Sequence, residues 1–316
     1  MHGLPMSITK AHQPVLYNEI IHLLQPHQSG RYVDGTIGAG GHALGILKAS
    51  DPDGRLLGLD LDILALQLAQ KQLESYQERV TLVQTSFKNL RKQLDALGWQ
   101  MVDGILLDLG ISSMQIDIPE RGFSFRKDAL LDMRFDQSNP LNARRLVNEL
   151  PEADLADLLF NFGEERRSRQ VAKAIVEARP IETTLQLANI VASATTSGRK
   201  GLHPATRTFQ ALRIAVNDEL TNLEKTLPQA ISSLKPEGRF AVIAYHSLED
   251  RIAKHFFRSE SKDCICPPEQ IVCTCGHVAS IKLITKRPIR PQAEEISQNP
   301  RARSARLRVV EKIKTK

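Results

Sequence analysis

The chain has 316 residues, 41% of them hydrophobic and 25% charged, with a formal net charge of +6. That is enough apolar material for one large domain or two smaller ones, and it excludes a mainly disordered chain. No run approaches the roughly 18 uncharged apolar residues of a membrane span, and the N-terminus lacks the apolar core of a signal peptide. The expected compartment is the cytoplasm, with no membrane partner, and the basic balance favours anionic partners such as phosphate or nucleic acid.

From Arg31 to Gly110 short apolar runs alternate with amphipathic segments. Arg31–Asp34, Arg55–Asp60 (RLLGLD), 80–83 and 105–107 read as buried strands. Residues 42–48, 63–73 and 90–97 have helical spacing between them. This alternation predicts βαβ units and a parallel sheet. From about residue 119 to 202 the β-branched runs give way to helical periodicity at 153–160, 168–178 and 185–194, punctuated by Pro119, Pro140, Pro151 and Pro180. Strand signals return at 239–245 (RFAVIAY), 281–285 and 307–310, the last two pairing as closing antiparallel strands. The expected organisation is a discontinuous α/β domain, 1–117 with 203–316, interrupted by a helical subdomain at 118–202 that recognises substrate.

Between the first strand and the first helix runs Asp34-Gly-Thr-Ile-Gly-Ala-Gly-Gly-His42. Glycines let a backbone approach a ligand with no Cβ in the way. A helix N-terminus offers unpaired N–H groups and partial positive charge. Gly38-Ala-Gly40-Gly41-His42-Ala43 fits the loose dinucleotide pattern GxGxxA as well. Asp34, at the strand end, suits a cationic amino-acid ligand. Asp60, ending the next strand, can accept both hydroxyls of a ribose, with Asp62 as the alternative. Phe87 after the third strand stands beside an adenine or packs in the core. Asp108 opens a polar turn, Ser112 and Ser113, at the sheet edge where ligands bind in open α/β folds. A nicotinamide enzyme would need a hydride-handling site, and none is identifiable; S-adenosylmethionine is therefore preferred to NAD.

The chain resembles the bacterial ribosomal RNA small subunit methyltransferase H family (MraW-type). The resemblance rests on His12-Gln-Pro-Val-Leu16, Val33-Asp-Gly-Thr-Ile-Gly-Ala-Gly-Gly-His42, Gly104-Ile-Leu-Leu-Asp-Leu-Gly-Ile-Ser-Ser113, Arg121-Gly-Phe-Ser-Phe125, Leu131-Asp-Met-Arg134 and Gly163-Glu-Glu-Arg166. It continues through His203-Pro-Ala-Thr-Arg-Thr-Phe-Gln-Ala-Leu-Arg213, His246-Ser-Leu-Glu-Asp-Arg251 and Asn299-Pro-Arg-Ala-Arg-Ser304. It implies a class I S-adenosylmethionine-dependent methyltransferase fold, Rossmann-like with a mostly parallel sheet. The implied reaction is methylation of the exocyclic N4 of one decoding-centre cytosine in 16S rRNA of the small ribosomal subunit. The family's cofactor contacts fall on Gly40, Gly41, His42, Asp60, Phe87, Asp108 and Gln115. Ile37 stands where the family usually has an aromatic, a departure that keeps the position apolar. Monomer and homodimer are both compatible with the sequence.

A cytosine N4 is a weak nucleophile that needs in-line placement and acceptors for its two N–H bonds. Asp108, Ser112 and Ser113 are the candidate acceptors. His246 is a candidate for the released proton; the alternative makes it scaffold, with Ser247 as a helix N-cap and Asp250 at the capping-box position. Arg207 and Arg213, on a helix whose polar stripe includes Thr206, Gln210 and Asn217, are expected RNA contacts, as are Arg301 and Arg303 in a basic stretch that includes Arg306 and Arg308. Phe123 and Phe125 either stack on an extruded base or pack in a core. Cys264, Cys266, Cys273 and Cys275 could hold a tetrahedral structural zinc, although CxC is tighter than the usual CxxC; the alternative is a reduced loop. A second reading of the whole chain is a ribosome-assembly factor that binds RNA on the same fold without turnover.

Overall fold

The computed structural model describes residues 14–195, 203–270 and 272–314, with backbone alone at Ser113. His12 and Gln13 of the first family motif lie outside them. The chain divides into two compact units, Met1–Gly110 with Asn222–Lys316, and Ile111–Thr221.

The first unit carries α1 (Tyr17–Leu24), β1 (Arg31–Asp34), α2 (Gly41–Ala49), β2 (Arg55–Asp60), α3 (Ile63–Gln72), β3 (Val80–Gln84), α4 (Leu90–Ala96) and β4 (Val102–Asp108). Its sheet has the order β3-β2-β1-β4, and all these pairs are parallel. Side-chain alternation explains why helices must cover both faces. In β4, Ile105 and Leu107 enter one apolar cluster with Val33, Leu57 and Phe240. Leu106 enters the other, with Tyr32, Leu56 and Ala241. A strand buried on both sides has no polar face to show, which is why RLLGLD reads as a nearly unbroken apolar run.

The second unit is helical: α5 (Ser113–Asp117), α6 (Ala143–Glu149), α7 (Glu152–Gly163), α8 (Ser168–Glu177), α9 (Thr184–Ala194) and α10 (Thr206–Asn217). It has its own core, in which Phe123, Leu131, Leu155, Val171, Leu187, Phe209 and Leu212 meet. The compact unit extends past the 118–202 stretch because α10 packs on α7. A Cβ on Gly163 would lie 2.7 Å from the Arg207 carbonyl oxygen, so the two helices touch nearly backbone to backbone. The expected apolar stripe of α10, Ala205, Phe209, Leu212 and Val216, is buried. Asn217, read from the sequence as part of the polar stripe, is buried too. Its side chain accepts from Phe135 N (2.7 Å) and donates to the Met133 carbonyl (2.7 Å).

The sheet is then completed by α11 (Glu219–Ser233), β5 (Leu234–Ala244), α12 (Ser247–Glu260), β6 (Ile281–Leu283), α13 (Ala293–Gln298) and β7 (Arg306–Lys312). β5 adds parallel to β4, and β7 inserts antiparallel between β5 and β6, giving the order β3-β2-β1-β4-β5-β7-β6. β5 starts five residues before the expected strand. Val102 pairs with Leu234 but Gly104 pairs with Arg239, so Lys235–Gly238 are bulged out of register. Their Pro-Glu-Gly sequence reads as a turn, although the chain stays in the sheet. No helix among the described residues is long and apolar enough to cross a membrane.

Candidate active site at the carboxyl edge of the sheet

The glycine-rich turn is hung from its neighbouring strands by backbone bonds. Gly35 N donates to the Leu106 carbonyl and Ile37 N to the Leu59 carbonyl, each at 2.9 Å. Gly38 and Gly40 have φ of +52° and +86°, the left-handed region that favours glycine. Gly40 is the N-cap of α2 and no side chain caps that helix, so the first N–H groups of α2 keep their capacity to bind an acceptor. Gly41 has a separate reason: a Cβ there would meet Pro14 Cγ at 2.5 Å. Ile37 is buried and its Cδ1 occupies the space over Gly58 of β2.

Three carboxyl groups stand at the ends of β1, β2 and β4. Asp60 Oδ2 accepts from Gly38 N (2.9 Å) and Oδ1 from Asp62 N (2.9 Å). Asp60 thus fixes the turn with one oxygen and the start of α3 with the other. Burial pushes its pKa up to about 6 against those hydrogen bonds. Asp62 is the N-cap of α3, accepting from Leu64 N. That fixes its role as a cap and leaves Asp60 as the acid that faces the turn. Asp34 accepts from Thr36 N (3.1 Å). Its pKa is pushed to about 8, by burial first and then by repulsion from Asp108 and Asp60. Acids that raise one another's pKa are under-neutralised, and a cation among them would relieve the repulsion.

Asp108 joins elements far apart in sequence. Its N donates to Thr36 Oγ1 (2.6 Å), and its Oδ1 accepts from the Tyr245 hydroxyl (2.9 Å). Burial and the carboxylate push the Tyr245 pKa well up, so it stays a donor. Gly110, at φ +95°, passes over the Tyr245 ring, where a Cβ would stand 3.3 Å from it. His42 lies 3.7 Å from Asp108 Oδ2 through Nδ1, yet this is not a charged pair. Its Nε2 faces the Val15 carbonyl at 3.0 Å, which can only accept, and burial lowers the ring pKa to about 4. The single proton of the neutral ring is therefore on Nε2, and His42 ties α2 to the N-terminal segment. Thr36 and Tyr245 were not singled out in the sequence. The only hint was a hydroxyl-tipped aromatic closing the apolar run of β5.

Phe87 opens a short 3-10 turn capped by Ser86 and is partly buried against the first core. Ser112 is the N-cap of α5: its Oγ accepts from Gln115 N (3.3 Å) and its N donates to Gln115 Oε1 (3.0 Å), a capping box. The Ser113 side chain lies outside the described residues. His246 is the N-cap of α12. Its Nδ1 accepts from Glu249 N (3.5 Å), while Glu249 Oε2 accepts from Tyr245 N (2.8 Å) and His246 N (3.3 Å). Its Nε2 is 3.1 Å from Glu249 Oε1 but without hydrogen-bond alignment. The capping box therefore sits one residue before the expected Ser247 and Asp250. Asp250 accepts instead from Arg308 Nε (2.7 Å) and Arg306 Nη1 (3.1 Å). Burial raises its pKa, but these two arginines outweigh it and hold the carboxyl below its ordinary value.

Among the expected RNA contacts, Arg213 makes a bidentate pair with Glu219 (2.8 and 2.9 Å), and both side chains are nearly buried. Arg207 is more exposed and lies 3.9 Å from Glu165. Arg301 and Arg303 are exposed on the 3-10 turn Pro300–Ser304. Phe123 stacks on Phe135 (5.6 Å between centroids), and Phe125 packs on Phe209 and His203. Both phenylalanines belong to the core of the second unit.

A doubly wound sheet with an inserted antiparallel β7, a glycine cradle after β1 and acids ending β1, β2 and β4 define a class I methyltransferase fold. The chain belongs to the MraW methylase family, whose model matches residues 9–313. It is 51% identical to the "Ribosomal RNA small subunit methyltransferase H" of Geotalea uraniireducens (strain Rf4), over 96% of this chain and 98% of that one. It is 47% identical to the protein of the same name from Heliobacterium mobile, over 96% and 99%. Among solved structures, an rRNA methylase from Streptococcus thermophilus aligns over 94% of each chain at 10% identity, with a TM-score of 0.43.

Proposed function

We propose that this chain transfers a methyl group from S-adenosylmethionine to the exocyclic N4 of a decoding-centre cytosine in 16S rRNA. The relatives' names support small-subunit ribosomal RNA as the substrate. The observation that carries the donor is the clamp at Asp60. Each of its oxygens spends one lone pair on a backbone N–H, so acceptor capacity remains for a ribose diol. When bound, S-adenosylmethionine supplies a methyl group activated by a sulfonium. The chain's part is to orient and to accept. The cradle Gly38–Gly41 passes close to the donor, Asp34 faces its ammonium, and Phe87 flanks the adenine. Asp108, held by Thr36 and Tyr245, accepts at the reacting edge. The polar turn at Ser112 and Ser113, with Gln115, contributes further acceptors. The helical unit recognises the RNA, with Arg207 as a phosphate contact, and Arg301 and Arg303 are phosphate contacts on the first unit.

Purified small subunits and naked 16S rRNA, each incubated with labelled donor, test the reading, with Asp108→Ala as control. Mass spectrometry of rRNA from a deletion strain is the second arm: a cytosine that keeps its N4 methyl group there rejects the assignment. RNA binding with no methyl transfer on any substrate would leave an assembly factor.

The Asp34 pKa sets a pH dependence. Between pH 6 and 7.5 the free protein holds Asp34 protonated, whereas a cationic donor favours the carboxylate. Binding then releases a proton, and affinity should rise up to about tenfold per pH unit in this window. Titration calorimetry in two buffers of different ionisation enthalpy reads the proton; Asp34→Asn should flatten the dependence. The free protein moves the other way. Its native state keeps a proton that the unfolded chain loses above about pH 4, so its stability falls as pH rises towards 8.

A further inference from the structure

Between α12 and β6 lie residues 261–280, with no helix or strand among the described residues. None of the described residues in this stretch is buried, and Ile265, Val272 and Val278 are exposed. A loop of this length with no apolar core needs another source of order. Its base is clamped to the end of α12: Ser280 N donates to the Glu260 carbonyl (2.9 Å), and Ser280 Oγ to Glu260 Oε2 (2.7 Å).

At the other end of the loop, four sulfurs converge. The Sγ atoms of Cys264, Cys266, Cys273 and Cys275 all lie within 4.8 Å of one another. Three of the separations are 4.0 Å (Cys266 to Cys273), 3.6 Å (Cys273 to Cys275) and 3.8 Å (Cys275 to Cys264). A regular tetrahedron with metal–sulfur bonds of about 2.3 Å has edges of about 3.8 Å. A disulfide would need about 2.05 Å, and the cysteines are free. Two backbone N–H groups point at sulfurs: Cys266 N at Cys264 (3.4 Å) and His277 N at Cys275 (3.4 Å). Such donors stabilise ligating thiolates. His277 is not a fifth candidate, since its Nε2 faces the Ser259 carbonyl at 3.2 Å.

We propose that these four cysteines bind one zinc ion as a structural tetrathiolate centre that serves as the core of the 261–280 loop. Four thiolates at tetrahedral spacing select zinc or iron. Zinc fits a solvent-exposed site that must hold shape without redox chemistry. The close CxC spacing is accommodated because each pair supplies two corners, and so one edge, of the tetrahedron, as Cys273 and Cys275 do at 3.6 Å.

The full chain, purified from zinc-replete cells without chelator, should carry about one zinc per chain, and cobalt exchange should give the intense visible bands of a tetrahedral thiolate site. X-ray absorption should show four sulfurs at about 2.3 Å. Cys264→Ser with Cys275→Ser should drop the zinc at least tenfold and speed proteolysis within 261–280, while donor affinity stays within about twofold. That last readout separates this proposal from the methyltransferase reading, since neither depends on the other. Sub-stoichiometric zinc in the wild type, iron in its place, or unchanged zinc in the double variant would each overturn it.

Discussion

Asp60→Ala is expected to weaken methyl-donor binding by about 100-fold, measured by titration calorimetry. Two hydrogen bonds from a ribose to a carboxylate are each worth about 1.5–3 kcal/mol, and the lower figure for both already exceeds a factor of 100. The variant also loses what Asp60 does for the chain, because Gly38 N and Asp62 N both lose their acceptor. Asp60→Asn should be nearly as poor, about tenfold or worse. Both carboxylate oxygens face backbone donors, so either orientation of the amide turns an NH2 towards an N–H. A folded Asp60→Ala protein with donor affinity within threefold of the wild type would remove the ribose from this carboxylate.

Asp60 was legible in the sequence because it ends a run buried on both faces, where an acid has a reason to be only at the strand's carboxyl edge. The same logic located Asp34 and Asp108. The partners of these acids were not legible. Tyr245 and Asp108 are 137 positions apart, and only the β4–β5 pairing brings them together. Arg213 looked like a surface charge on a polar stripe. Its burial depends on the left-handed Asp218, which turns the chain so that Glu219 returns to the guanidinium. At α12 the Ser247-x-x-Asp250 pattern competed with His246-x-x-Glu249. Histidine is an uncommon N-cap, and the choice was decided by Arg306 and Arg308 on β7, which take the Asp250 carboxylate. The β5 bulge was hidden for a related reason: Pro236 and Gly238 are turn residues, and local chemistry cannot show that the sheet absorbs them.

Gly122→Ala should destabilise the helical unit by about 3–4 kcal/mol, seen as a fall of about 10–20 °C in its thermal midpoint. Gly122 closes the 3-10 turn Pro119–Arg121 at φ +71°. The left-handed conformation alone costs an alanine about 1–2 kcal/mol. The larger cost is contact. A Cβ there would overlap the Leu130 carbonyl oxygen and lie 2.6 Å from Asp132 N, and both are backbone atoms. That segment has no room to withdraw. Leu131 N donates to the Glu182 carbonyl (3.1 Å), Met133 N to the Arg121 carbonyl (3.0 Å), Ala143 N to the Asp132 carbonyl (2.8 Å) and Arg144 N to the Leu131 carbonyl (2.9 Å). Relief would therefore break ladder bonds of a core that includes Leu131 and Met133. Gly98→Ala supplies the control, with φ +66° and nothing within 4 Å of a Cβ; it should cost only the conformational part. Equal losses at the two glycines would show that the left-handed backbone, and not the packing of 130–132 against the turn, accounts for Gly122.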